Sequence, residues 1–185
     1  VMGENPAYFQ DSLDHPVEQV SWDEVQAMIR QLNVLIPVLQ ARLPTEAEWE
    51  YACRAGTTTP FSFGETITPE QVNYDGNYPY AGTEKGLARR KTVSVKSSPP
   101  NSWGLYEMHG NVWECCSDWY GAYPTAAVTD PLGPATGESR VLRGGSWHSR
   151  AWRTRSAFRY WNMPDFRYTN FGFRLALGLA RGSDP

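Results

Sequence analysis

Apolar residues recur at helical spacing twice in the first third of this 185-residue chain. Trp22, Val25, Ile29 and Leu32 fall on one face, behind a Ser21 that has Glu24 three residues on. That pairing is a capping-box pattern, so a helix is predicted over 22–33. Thr45 and Glu48 repeat the box directly after Pro44, and Glu46, Glu48 and Glu50 suit a positive helix N-terminus. With Gly56 as the capping residue, the second predicted helix covers 46–55. Over 57–102 no period is sustained, and Gly, Pro, Thr, Asn and Tyr dominate, so an ordered loop region with short strands is expected. Residues 141–143 and 156–159 read as short strands. Phe171, Phe173, Leu175 and Leu177 alternate with smaller or polar residues, the mark of a half-buried strand. The class is α+β, and loop-heavy.

Composition changes this picture in three places. A chain of this length forms one domain, over 1–185, with a core that needs no metal or disulfide. Aromatic residues reach 14%, including 8 Trp and 10 Tyr, so large rings are buried or displayed. Three cysteines, Cys53, Cys115 and Cys116, are too few for a disulfide framework and favour a reducing compartment. No apolar run approaches the roughly 20 residues of a spanning helix, and Arg181 stops the run that begins at Leu175. No secretory leader stands out, so a cytoplasmic and a surface-exposed location both stay open.

Charge is unevenly placed. The net charge of −3 gives no whole-surface attraction for nucleic acid. Yet the segment from Arg140 to Arg174 carries eight arginines, one acid (Asp165) and nine aromatic residues. Such a stretch can stack and bind anions, or its arginines can pair with acids elsewhere while its rings pack.

Several blocks are specific. Arg42-Leu43-Pro44-Thr45-Glu46-Ala47-Glu48-Trp49-Glu50 is followed by Trp103-Gly104-Leu105-Tyr106-Glu107-Met108-His109-Gly110-Asn111-Val112-Trp113-Glu114, then Arg143-Gly144-Gly145-Ser146-Trp147, then Asn170-Phe171-Gly172-Phe173-Arg174. In this order they resemble the formylglycine-generating enzyme (sulfatase-modifying factor) family across nearly the whole chain. The resemblance implies an elaborated C-type lectin fold with two short helices, short antiparallel strands and much ordered loop. Family members usually start earlier, so it also implies a strand and a helix before Val1.

The chemistry carries over in part. Members that oxidise sulfatase cysteine bind copper(I) through two cysteines five residues apart. The matching positions here are Ser149 and Thr154, whose hydroxyls are poor ligands for copper(I), so no copper and no catalytic residue is expected. Relatives that use iron take three histidines and a further helical domain. This chain has only His15, His109 and His148. Gly144-Gly145 has no capping signal after it and makes no phosphate cradle. The family's structural calcium site matches at Glu107, Gly110, Val112 and Glu114, oxygen ligands of the kind calcium takes. A second family calcium site matches only at Asn73 and Tyr74.

A scaffold kept without its cysteine pair suggests binding. One branch resembling this family is the variable proteins of diversity-generating retroelements, in which template adenines are mutagenised and asparagine codons are favoured targets. His148, Ser149, Arg150, Arg153, Phe158, Tyr160, Phe166, Tyr168 and Thr169 are all reachable from such codons. With Trp152 they form the candidate ligand-binding set, within a variable segment over 140–177. Rings and arginines are the residue types of interface hot spots. The expected partner is a macromolecule, a protein first, with a glycan or an anionic polymer as alternatives. A fixed binding domain and an enzyme acting on cysteine or sulfur substrates remain the competing readings. Trp147, Arg155 and Arg159 are expected to be scaffold.

Overall fold

A computed structural model describes residues 1–178; the end of the apolar run that Arg181 stops lies outside them. Both predicted helices form. The first, α1, runs Trp22–Leu35 and carries the full capping box: the Ser21 hydroxyl accepts from the Glu24 amide, and the Glu24 carboxylate accepts from the Ser21 amide. It extends two residues past the expected end because the true stop is Pro37, which opens a 3-10 turn over Pro37–Leu39. The second, α2, runs Glu46–Arg54 with the same reciprocal box at Thr45 and Glu48. Its left-handed cap is Ala55 (φ 47°), one residue before the expected Gly56.

Six short strands complete the frame: β1 (Ala41–Arg42), β2 (Trp113–Trp119), β3 (Arg140–Arg143), β4 (Tyr160–Asn162), β5 (Phe171–Phe173) and β6 (Ala176–Leu177). Four of them form one sheet in the order β4-β3-β2-β5, and β1 pairs with β6. The pairings are antiparallel except β2 with β5, which runs parallel with Trp113 opposite Phe171. The strand expected at 156–159 is instead a turn, in which the Phe158 amide donates to the Arg155 carbonyl, and the ladder begins at Tyr160. The strand expected over 171–177 is broken at Arg174, whose side chain turns to Glu114. Over 57–102 only isolated bridges occur, among them Phe61 with Gly64 and Asp75 with Ala88.

No alternation in the sequence announces the central strand β2. It is buried on both faces. Trp113 and Cys115 join Val25 and Ile29 of α1, Leu43, Leu142 and Phe171 in one apolar cluster. Cys116 joins Trp49 and Cys53 of α2, Met108 and Val141 in another. A third cluster, Phe61, Ile67, Val72, Tyr74 and Ala151, sits under the long loops. No described helix is long and apolar enough to cross a membrane.

Candidate functional site

After β3 the chain reverses at Gly144 and Gly145, both at positive φ. A Cβ on Gly145 would stand 2.5 Å from Thr154 Cγ2, so glycine allows the 3-10 turn Ala151–Thr154 to pack back on this corner. The corner is tied down by hydroxyls. The Ser146 amide donates to Ser149 Oγ at 3.0 Å, and the Asn170 amide group donates to Ser146 Oγ at 3.0 Å. Thr154 Oγ1 donates to the Ala151 carbonyl at 2.8 Å. Ser149 and Thr154 are both buried. Ser149 is therefore part of the scaffold and leaves the displayed set.

Five of the other nine candidates are rings that form two groups, one leading to Trp113 and one to Phe171. Trp152 meets Phe158 edge-on with ring centres 5.0 Å apart, and Phe158 lies 5.9 Å from the ring of Trp113. Tyr160 stacks on Trp113 at 5.0 Å. One strand over, Phe171 packs against Phe166 and Tyr168, which stack on each other at 6.3 Å. Trp113 and Phe171 thus root both halves of the surface in one core cluster. Trp152, Phe166 and Tyr168 are 39%, 45% and 52% exposed, whereas Phe158 and Tyr160 are half-buried. His148 and Arg150 are exposed on the neighbouring loop, where Arg150 lies over the Tyr78 ring at 4.4 Å, and Arg153 is exposed beside Trp152. Thr169 is half-buried, and its carbonyl accepts from the Trp147 indole at 3.2 Å. Trp161, 48% exposed and stacked on Tyr160, belongs to the surface although the codon argument could not reach it; its place on β4 beside Tyr160 is the signal.

The arginines divide. Arg143 is fully buried against Glu46 and Glu50, and Arg159 grips Glu46 with two bonds of 2.6 and 2.7 Å. Arg167 pairs with Glu24, and Arg174 with Glu114. Arg140 is sandwiched between the Trp22 and Trp119 rings at 3.7 and 3.3 Å. Arg150, Arg153 and Arg155 have no carboxylate within 4.0 Å among the described residues.

A separate cleft of about 780 Å³ opens between α2 and the loop at 121–134. None of the ten candidates lines it, and its charged walls are already matched: Glu46 to Arg159, Glu50 to Arg54, and Asp118 to the Glu46 amide at 2.8 Å.

Residues 2–179 match the model of the sulfatase-modifying factor enzyme 1-like domain. The chain belongs to that family. The formylglycine-generating enzyme of Streptomyces coelicolor is 42% identical over 173 residues, covering 88% of this chain and 52% of that protein. The inactive C-alpha-formylglycine-generating enzyme 2 of Bos taurus is 33% identical, covering 93% of this chain and 53% of that protein. The chain therefore spans about half the length of the curated relatives it matches. Among solved structures, Treponema denticola variable protein 1 superposes with a TM-score of 0.82 at 31% identity, over 96% of this chain and 78% of that one. The fold is the elaborated C-type lectin fold.

Copper(I) wants soft thiolates, but Ser149 and Thr154 offer two buried hydroxyls held in the scaffold's own bonds, which do not fit it. The three thiols are no substitute. All are free and buried, and burial pushes Cys53 and Cys115 up to about 12 and Cys116 well above its ordinary value. His109 is enclosed, and burial pushes it down to about 4. Its Nε2 accepts from the Ser62 amide, which leaves the proton on Nδ1. His15 bonds Thr92 elsewhere, and no group of three His, Cys, Asp or Glu side chains gathers among the described residues.

The two carboxylates of the calcium set are already bonded. Glu114 gives both oxygens to Arg174 and accepts from the Trp49 indole at 2.6 Å. Glu107 accepts from the Lys96 and Ser98 amides at 2.9 and 3.2 Å. Gly110 is pressed against Asn73, with which it bridges, and the Val112 side chain is buried. Arg174 supplies the positive charge that a calcium ion would bring, so this arrangement does not fit calcium at Glu114.

Proposed function

We propose that this chain is a non-catalytic ligand-binding protein, the variable protein of a diversity-generating retroelement, displaying changeable residues of 140–177 on a C-type lectin scaffold. One observation carries the reading. Where oxidising relatives hold a cysteine pair, Ser149 and Thr154 are buried in scaffold bonds, while His148, Arg150, Trp152 and Arg153 beside them are exposed. A rigid corner is what a changing surface needs, because substitutions at Trp152, Phe166 or Tyr168 leave Ser146, Thr154 and Asn170 untouched. The likeness to a variable protein supports it. The partner is a macromolecule, with a protein favoured by ring and arginine anchors over a glycan or anionic polymer.

Deep sequencing of codons 140–177 across a cell population, with the flanking DNA, tests the reading. Substitutions confined to a few codons between 148 and 169, beside an adenine-bearing near-copy, are the expected result. An invariant segment with no near-copy would overturn it and leave a fixed binding domain.

A second reading, a cysteine-oxidising enzyme of the formylglycine-generating type, is favoured by the 42% identity to such an enzyme. Copper(I) titration with oxygen uptake on a cysteine peptide separates the two. Stoichiometric copper binding and turnover would establish the enzyme; no binding removes it.

A further inference from the structure

Within six residues, Arg150, Arg153 and Arg155 stand without acids; Arg140, the other arginine of the segment outside an ion pair, is enclosed between the Trp22 and Trp119 rings. The 3-10 turn sets their spacing, with the Arg153 amide donating to the Arg150 carbonyl at 2.9 Å. Two of the guanidinium groups are held against rings: Arg150 over Tyr78 at 4.4 Å, and Arg153 over Trp152 at 5.1 Å. Arg155, expected to be scaffold, is held only through Nε to the Trp152 carbonyl at 2.9 Å, which leaves its two terminal nitrogens unused. Stacking orders a guanidinium without spending its N–H donors, so the forks stay available for planar anions. The nearby acid does not answer them. Asp75, whose amide donates to the Ser149 carbonyl, turns its carboxylate to the Asn77 amide and side chain at 3.1 and 2.8 Å.

The other end of the ring surface is different. Beside Phe166 and Tyr168, Arg167 is already matched by Glu24 at 2.8 Å, and Asp165 is exposed. The surface is thus basic at the Trp152 end and neutralised at the Tyr168 end.

We infer that Arg150, Arg153 and Arg155 form a carboxylate-reading lip, and that the surface takes an acidic segment of a protein partner, with Trp152 as the apolar anchor beside it. The inference rests on the binding-surface reading above and names its partner chemistry. Bidentate arginine–carboxylate contacts set register, and unmatched positive charge speeds encounter with an acidic partner. A protein is favoured over a uniform polyanion because the lip adjoins exposed rings and ends where charge is balanced. A nucleic acid or sulfated glycan would meet cations along its whole track.

A random peptide library displayed on phage, selected on the folded chain, tests this. Enrichment of Asp and Glu beside an apolar residue is expected among binders. Their affinity should fall steeply with added salt, and by about tenfold or more in the R150Q/R153Q/R155Q variant. Because the salt dependence is measured on the unmodified chain, it decides the matter even if that variant unfolds. Binders without acidic enrichment that survive R150Q/R153Q/R155Q but are lost in W152A/Y168A would overturn the lip and leave the ring surface standing. Binders indifferent to both variants, or none at all, would overturn both readings. Heparin or single-stranded DNA binding tighter than any acidic peptide would overturn the lip in favour of a polyanion.

Discussion

The imidazole of His109 donates from Nδ1 to the carbonyl of Thr154 at 2.7 Å, which joins the Met-His-Gly-Asn loop to the 3-10 turn Ala151–Thr154. On its other side Nε2 accepts from the Ser62 amide at 3.1 Å. Both nitrogens are used only in the neutral form, so protonation inside the fold is opposed by burial and by the loss of an acceptor.

Acid should therefore weaken the fold through His109. Its value is pushed down to about 4, against 6.5 in the open chain. Above pH 6.5 both states are neutral and its contribution is complete. As pH falls from 6.5 toward 4 the unfolded chain takes the proton first, and stability drops by about 3 kcal/mol. Urea unfolding from pH 7 to 4 measures this. His109→Ala should lower stability at pH 7 and flatten that part of the profile. An unchanged profile would show that His109 is not the titrating group.

The thiols make a second prediction. Cys53, Cys115 and Cys116 are buried, and burial holds each protonated. Under native conditions near neutral pH, a disulfide reagent should find no rapidly reacting thiol, and all three should react in denaturant. A fast-reacting native thiol would reopen a cysteine-based chemistry at β2 or α2.

Local rules made the helices legible. Ser21 with Glu24 and Thr45 with Glu48 each announce a helix start, and both boxes form. The strand β2 was hidden because Trp113, Glu114, Cys115 and Cys116 do not alternate. They are buried on both faces, and the acid among them is matched by Arg174, sixty positions away in the chain. The ring surface was legible as composition, but composition cannot tell a displayed ring from a packed one. Tyr160 and Phe158 lean on Trp113, a contact made only when β4, β3 and β2 pair. Ser149 passed a codon test and failed a geometric one: reachability says what a position can become, while the Gly144-Gly145 corner decides whether it is seen.

The Glu114–Arg174 pair predicts indifference to calcium. Glu114 is buried, and Arg174 bonds both of its oxygens and the Tyr106 carbonyl at 3.0 Å. Millimolar calcium or a chelator should leave the melting temperature unchanged. Glu114→Gln, by contrast, should cost about 2 kcal/mol, because it leaves the half-buried Arg174 without its carboxylate. A clear stabilisation by calcium that Glu114→Gln abolishes would mean that the ion displaces Arg174.

Binding and stability should separate along the ring surface. Phe166 and Tyr168 are about half exposed, so Phe166→Ala and Tyr168→Ala should each cost below about 1 kcal/mol of stability. Tyr160 stacks on Trp113 at 5.0 Å against the main core cluster, so Tyr160→Ala should cost about 2 kcal/mol. Denaturant unfolding of the three variants gives the order directly. If this is a displayed surface, the two exposed rings are free to change without weakening the scaffold, whereas Tyr160 varies only among residues that still cover Trp113. Equal costs at all three positions would mean that Phe166 and Tyr168 hold the fold together and are not free to vary.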